Sequence, residues 1–98
     1  ALDKYPSVSR DLSLVTDADT SASAILDTIK KAGGRLIRSL EIFDVYQGEH
    51  VESGKKSVAL RIVYQSSDHT LKEEEITPVH QKILASLSKN LSAELRSE

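Results

Sequence analysis

Hydrophobic and polar positions alternate along three segments of the chain, a pattern typical of strands that bury one face. The predicted strands span residues 10–15, 35–47 and 55–65, and the last two are predicted to pair as a hairpin. In the first strand, Leu12 and Leu14 share a face. In the third strand, one face carries Val58, Leu60, Ile62 and Tyr64. The opposite face of that strand carries Ser57, Ala59, Arg61 and Val63.

The second strand alternates less regularly than the other two. Phe43 and Val45 are predicted to face the core, and Asp44 and Tyr46 to face away from it. Glu41 would then share the core face with Phe43, where a carboxylate is disfavoured. This conflict indicates a β-bulge or a protruding strand end near Glu41.

A first helix is predicted between these strands, because Ile25 and Ile29 recur at helical spacing. Thr20 or Ser21 is placed to cap its start. Gly33-Gly34 is predicted to end it, since glycine readily adopts the left-handed backbone of a helix terminus.

A second helix is predicted after residue 69, where Thr70 and Glu73 have the spacing of a capping box. Pro78 lies past the first turn and removes an internal hydrogen bond. Two alternatives follow: a kink at Pro78, or a second segment that Thr77 caps. The apolar stripe of this helix is Ile76, Val79, Ile83, Leu87 and Leu91.

Residues 92–96 are predicted to add a fourth strand with Leu95 inward, which completes the order βαββαβ. This order predicts an α+β, ferredoxin-like fold with two helices on one face of a four-stranded antiparallel sheet. The other face stays open and displays Asp44, Tyr46 and Ser57 together. The predicted core consists of Leu12, Leu14, Ile25, Ile29, Phe43, Val45, Leu60, Ile62, Ile83 and Leu87.

The composition is that of a folded domain, with 39% hydrophobic and 29% charged residues. We therefore expect one domain over residues 1–98. The sequence contains no methionine, which favours a piece excised from a longer polypeptide. It has no apolar run of about 18 residues and no signal-peptide pattern, so a cytoplasmic location without membrane contact is expected.

Charge and residue types narrow the possible chemistry. A net charge of −2 argues against broad electrostatic adhesion to nucleic acid, so any RNA recognition must be local. With no cysteine, and with three histidines that lack ligand spacing, no metal site is expected. No glycine-rich phosphate loop or nucleophile motif is found, so we expect neither catalysis nor a cofactor in this domain.

Several ordered motifs resemble the C-terminal ferredoxin-fold anticodon-binding domain of bacterial phenylalanyl-tRNA synthetase β subunits. They are KYP at 4–6, RDLSLV at 10–15, FDVYQGE at 43–49, GKKSVA at 54–59, HTLKEEE at 69–75 and AELR at 93–96. Two departures occur: His69 stands where an arginine is common, and Pro78 interrupts a usually regular helix.

The resemblance implies binding to the anticodon stem-loop of tRNA-Phe, which positions the tRNA for aminoacylation elsewhere in an α2β2 ligase. It implies the remainder of the β subunit and the α subunit as partners, and a parent enzyme that uses ATP and Mg²⁺. The implied tRNA contacts are Asp44, Tyr46, Ser57 and Arg96. A small-molecule-sensing or protein-interaction domain of the same topology is the alternative.

Chemical roles can be assigned to these four residues. Tyr46 can stack on a base, and Asp44 can accept hydrogen bonds from the Watson–Crick edge of guanine. Ser57 offers a small hydroxyl, and Arg96 offers a planar guanidinium for phosphate or base. The residues alone leave other roles open: Tyr46 as a half-buried cross-strand residue, and Asp44 as a solvated charge on an edge strand.

Overall fold

The computed structural model describes residues 5–97 of the chain. Lys4 of the first motif, and the ends of the predicted domain at residues 1–4 and 98, lie outside this range. A short 3-10 helix, Gly34–Leu36, precedes the second strand. The other elements are β1 (Val8–Asp17), α1 (Ala22–Gly33), β2 (Ile37–Tyr46), β3 (Lys55–Tyr64), α2 (Glu73–Leu91) and β4 (Glu94–Ser97).

The four strands form one antiparallel sheet in the order β2-β3-β1-β4. β1 and β3 pair without interruption, with Leu12 opposite Leu60. β2 pairs with β3, as the predicted hairpin requires, and β4 pairs with the second half of β1. The predicted ferredoxin-like fold is therefore confirmed.

The core lies between one sheet face and the two helices. Its sheet side includes Leu12 and Leu14 of β1 and Leu60 and Ile62 of β3, while Ile25 and Ile29 come from α1 and Ile76, Ile83 and Leu87 from α2. Tyr64 is fully buried at the end of β3, and its hydroxyl is hydrogen-bonded to His80 Nδ1 at 2.8 Å. The hydroxyl of this phenol therefore has a hydrogen-bond partner, although it is buried in an apolar layer.

Phe43 and Val45 were predicted to be core residues, and this prediction was wrong: they are 51% and 54% exposed. The reason is a register shift in β2. Ile42 pairs with Leu60, whereas Asp44 pairs with Ala59, so Phe43 is an extra residue between two rows. The bulge that the sequence indicated near Glu41 exists, but it lies at Phe43, between Ile42 and Asp44, and leaves Phe43 on the face without helices.

Val45 is exposed for a different reason. It pairs with buried Val58 and so points to the helix side. However, β2 is an edge strand, and its hydrophobic residues that pack on the core end at Ile42. Leu95 likewise lies opposite buried Leu14 but is 43% exposed on edge strand β4, so its predicted inward position was also wrong.

The helix ends agree with the sequence at α1 and differ at α2. Ser21 is the N-cap of α1, where its Oγ accepts from the backbone N–H of Ala24 at 3.0 Å. Gly34 follows α1 with a φ of 59°, as the terminal glycine pair predicted. Helix α2 begins at Glu73 after an N-cap at Lys72, so the predicted Thr70 cap was wrong.

The first turn of α2 is stabilised two residues later than the predicted capping box. The Glu75 carboxylate accepts from the backbone N–H of Lys72 at 2.8 Å. The helix then continues through Pro78 to Leu91, which excludes a separate segment capped by Thr77. Pro78 is exposed, so its ring is directed away from the core.

Alanine substitutions of Leu60 and Val45 should show that the core does not extend to the exposed end of β2. Leu60 is fully buried, so Leu60→Ala should lower the free energy of unfolding by about 2–5 kcal/mol. Val45→Ala should change it by no more than about 0.5 kcal/mol because the side chain is already exposed. Urea unfolding of both variants measures the difference, and equal losses would contradict this boundary of the core.

His69 should make stability depend on pH. Its Nδ1 contacts Asp68 and its Nε2 lies 2.7 Å from Glu75 Oε1, and these carboxylates, Asp68 first, raise the pKa of His69. A raised pKa in the folded state stabilises the protein fully below the unfolded value of about 6.5, and the effect is lost as pH rises through the folded pKa. His69→Gln should therefore lower the melting temperature more at about pH 6 than at about pH 9. A pH-independent difference would contradict the charged bridge.

Candidate nucleic-acid interface

The sheet face without helices, which we call the open face, is organised in rows that cross the strands. One row contains Tyr46, Ser57, Val15 and Glu94. The next contains Asp44, Ala59 and Ser13. A third contains Glu41, Arg61 and Asp11. Because directly opposed side chains lie about 4.5–5.5 Å apart, each row is a set of contacting neighbours.

Asp44 and Tyr46 lie together on edge strand β2, as the sequence predicted. The Asp44 side chain is exposed and Tyr46 is 43% exposed. They are two residues apart in a strand, so both side chains project from the same face. This places an exposed carboxylate beside an exposed phenol ring.

Ser57 was predicted to be displayed on this surface, and that prediction was wrong, because only 9% of the residue is exposed. Its strand is internal to the sheet, and Val15 and Tyr46 flank it in the same row. A serine is shorter than either neighbour. Its side chain is therefore largely covered by these two neighbours.

Gly48 determines how the chain leaves Tyr46. It has a φ of 140°, a conformation that favours glycine, and a Cβ added there would lie 3.0 Å from the Tyr46 hydroxyl. The phenol ring therefore extends along the sheet toward the loop between β2 and β3. A side chain at residue 48 would force the ring or the loop to move.

Arg96 lies apart from the other three predicted contacts. Its neighbours Leu95 and Ser97 pair with Leu14 and Ser13, so Arg96 is an extra residue in edge strand β4. The side chain is exposed. Three strand spacings of about 4.8 Å separate β4 from β2, so Arg96 is about 14 Å from Tyr46 across the sheet.

The open face also carries an aromatic and charged cluster that the sequence prediction did not include. Arg61 donates to Asp11 through Nε and Nη2, at 2.7 and 3.0 Å. This hydrogen bond holds the pKa of the Asp11 carboxyl below its usual value. The guanidinium carbon of Arg61 lies 5.5 Å from the centroid of the Phe43 ring, within cation–π range.

Part of this cluster could have been found from the sequence. Alternation in β3 places Arg61 opposite the buried set, and alternation from Glu41 places Phe43 on the same face as that carboxylate. Counting from Asp44 instead assigned Phe43 to the core. The position of the slip, after Phe43 rather than before it, decides between the two.

The paired lysines at the start of β3 already have partners within the domain. Lys55 Nζ lies 2.6 Å from Asp17 Oδ1, and this hydrogen bond raises the pKa of Lys55. Lys56 Nζ donates to the Thr20 carbonyl at 2.6 Å. These contacts connect the loop end of the β2–β3 hairpin to the end of β1 and to the loop before α1.

The helix side of the domain has a cleft of about 850 Å³ between β1 and α2. Its charged side chains include Arg10, whose Nη2 donates to the Glu73 carboxylate at 2.6 Å. Within residues 5–97, no group of three or more His, Cys, Asp or Glu side chains is placed to hold a metal ion. No helix in this part of the chain has the length and apolarity needed to cross a membrane.

Comparison with known proteins identifies the family. The family model described as "Ferredoxin-fold anticodon binding domain" matches residues 3–96. The phenylalanine–tRNA ligase beta subunit of Bacillus subtilis is 48% identical over 96 residues, which cover 98% of this chain and 12% of that protein. The beta subunits of Bacillus licheniformis and Symbiobacterium thermophilum are 50% and 46% identical, over 95% and 96% of the chain.

These relatives are much longer than the chain, which spans 12%, 12% and 10% of their respective lengths. The matched region nevertheless includes every strand and helix described above, apart from Ser97 at the end of β4. The chain belongs to the family of ferredoxin-fold anticodon-binding domains, as found in phenylalanine–tRNA ligase beta subunits.

Proposed function

We propose that the open face binds the anticodon stem-loop of tRNA-Phe and positions the tRNA for aminoacylation by a parent phenylalanine–tRNA ligase. The observation that carries the proposal is that Asp44 and Tyr46, both exposed, lie next to each other on one edge of the open face. The open face presents strand-borne side chains of fixed spacing to solvent. Unpaired loop bases are the RNA elements that such a surface can read.

Tyr46 provides the stacking surface. Its ring is exposed, and its hydroxyl lies close to Gly48. An unstacked base gains about 1–3 kcal/mol from an aromatic side chain of this kind. Ser57 lies opposite Tyr46 in the row, so its hydroxyl is the polar group next to the stacked base.

Asp44 selects the base. A carboxylate repels phosphate, so its place in an RNA interface is explained only if it accepts hydrogen bonds from a base edge. Guanine presents N1–H and N2–H₂ on its Watson–Crick edge, and one carboxylate can accept both. We assign Asp44 to the guanine that commonly begins the phenylalanine anticodon.

Arg96 provides a separate contact on the other edge of the sheet. Its strand lies about 14 Å from that of Tyr46, which favours contact with a different nucleotide or its phosphate. The chain carries a net charge of −2, so few phosphates are neutralised and the affinity depends on base contacts.

The parent protein provides the remaining functions. Residues 1–98 act as one domain without catalysis or a cofactor of its own, excised from a β subunit. The rest of that subunit and the α subunit form an α2β2 enzyme in the cytoplasm, without membrane contact. The enzyme uses ATP and Mg²⁺ at a site outside this domain. The names of the relatives and the length of those proteins support the assignment to a longer β subunit.

Replacement of Tyr46 tests the proposal. Tyr46→Ala should weaken binding of the 98-residue chain to a tRNA-Phe anticodon hairpin by about 1–3 kcal/mol, because the stack is lost. Tyr46→Phe keeps the ring and should bind nearly as well as the unmodified chain. Calorimetric titration measures both affinities.

A hairpin with the same stem and a scrambled loop provides the control. The unmodified chain should bind it weakly, and Tyr46→Ala should change that binding little. Equal losses in the alanine and phenylalanine variants would indicate a hydrogen bond from the hydroxyl. Equal binding of the two hairpins by the unmodified chain would contradict the proposed function.

A further inference from the structure

We propose that Phe43, backed by Arg61, forms a second stacking surface on the open face, which takes a different unpaired base of the same RNA loop from the one at Tyr46. The inference rests on the proposed function and extends it to a residue with no role so far. Three observations carry it: the exposure of Phe43, its contact with Arg61, and the direction in which the two aromatic rings extend.

Phe43 is exposed because of the bulge in β2. The shift between Ile42 and Asp44 places both Phe43 and Asp44 against Ala59 on the open face. About half of the phenylalanine surface, 51%, remains accessible. Bulges commonly redirect a side chain at a binding site. Here the bulge places an aromatic ring directly beside the proposed base-reading carboxylate.

Arg61 stabilises the orientation of the ring. Its guanidinium is fixed by two hydrogen bonds to Asp11 and lies 5.5 Å from the ring centroid. A fixed planar cation against an aromatic ring restricts the ring without covering it. The stacking surface is therefore preorganised, which lowers the entropy lost when a base binds.

The charges around Phe43 favour a base over a phosphate or a protein. Arg61 is flanked in its row by Asp11 and Glu41, so its positive charge is compensated and adds no attraction for phosphate. The ring is also bordered by Asp44. An apolar protein surface would have to desolvate these carboxylates, whereas a single flat base can cover the ring and leave them hydrated.

The two rings extend toward different parts of the open face, which favours two separate bases. The Tyr46 hydroxyl lies beside Gly48, beyond the end of β2. The Phe43 ring lies against Arg61, which pairs with Glu41 toward the start of that strand. Their Cα atoms are separated by up to about 10 Å along the strand. Two stacking surfaces at this spacing match two nucleotides of one loop.

The test combines protein variants with abasic hairpins. Phe43→Leu removes the ring and keeps an apolar side chain, and Phe43→Trp keeps a stacking surface. Val45→Ala is the matched control, because Val45 is equally exposed on the same strand but points to the helix side. Each is titrated with a tRNA-Phe anticodon hairpin and with versions that lack one loop base at a time.

Phe43→Leu should weaken binding of the intact hairpin by about 5- to 150-fold, the range for one lost base–aromatic stack. Phe43→Trp and Val45→Ala should bind within about twofold of the unmodified chain. The loss in Phe43→Leu should vanish for one abasic position, and the loss in Tyr46→Ala should vanish for a different one. Unchanged amide NMR spectra should show that the fold is retained.

A direct readout is available because Phe43 is the single phenylalanine of the chain. Biosynthetic fluorophenylalanine places one fluorine probe at this position. Its resonance should shift when the intact hairpin is added and should stay in place when the coupled base is missing.

The inference is overturned if Phe43→Leu binds as tightly as the unmodified chain, or if its loss is the same for every abasic hairpin. It is also overturned if Phe43 and Tyr46 couple to the same base. In each case Tyr46→Ala can still weaken binding, which leaves the proposed function intact. If the unmodified chain binds hairpins with and without loop bases equally well, the proposed function fails too.

Discussion

The structure depends on burial of one face of β3. Val58, Leu60, Ile62 and Tyr64 are all fully or almost fully buried, and each contributes on the order of 1.5–3 kcal/mol through removal of apolar surface from water. β3 pairs with both β1 and β2, so its register determines the rows on both sides of it. A slip of one residue would invert every side chain. The position of Ser57, Ala59 and Arg61 on the open face is therefore a consequence of the core.

The bulge in β2 interrupts the register that this strand shares with β3. From Leu40 to Ile42 the strand follows the alternation of β3, and after the bulge Asp44 and Tyr46 do so again. Phe43 falls between the two registers and is exposed. The bulge therefore places a ring on the open face beside Asp44, where the proposed RNA contacts lie.

The sequence predicts most of the fold because its strongest signals are local. The alternation of β3 and the serine and glycine caps of α1 each determine one element without reference to another. The fold class follows from the order of these elements. Phe43 was misplaced because of the bulge within β2, whereas the other side-chain positions that were predicted wrongly depend on what lies next to a strand. Val45 and Leu95 point to the helix side but lie on edge strands, and Ser57 is covered by neighbours in two other strands.

In the candidate site, too, the sequence predicts what local alternation determines and not what depends on neighbouring strands. Alternation was sufficient to place Asp44 and Tyr46 together, because both belong to one strand. It could not show that Arg96 lies across the whole sheet from them, or that Arg61 contacts Phe43, because those distances depend on strand order and on the exact residue at which β2 slips. Long-range pairing is a property of the folded sheet, and a single sequence encodes it only indirectly.

The central claim is that the open face, and not the helix side, binds the anticodon loop. Amide NMR of the uniformly labelled chain during titration with a tRNA-Phe anticodon hairpin tests it most directly. We expect the shifts to concentrate on the open-face residues of β1, β2 and β3 and at Arg96, and a scrambled loop to remove those at Asp44 and Tyr46. Shifts confined to α1 and α2 would contradict binding at the open face.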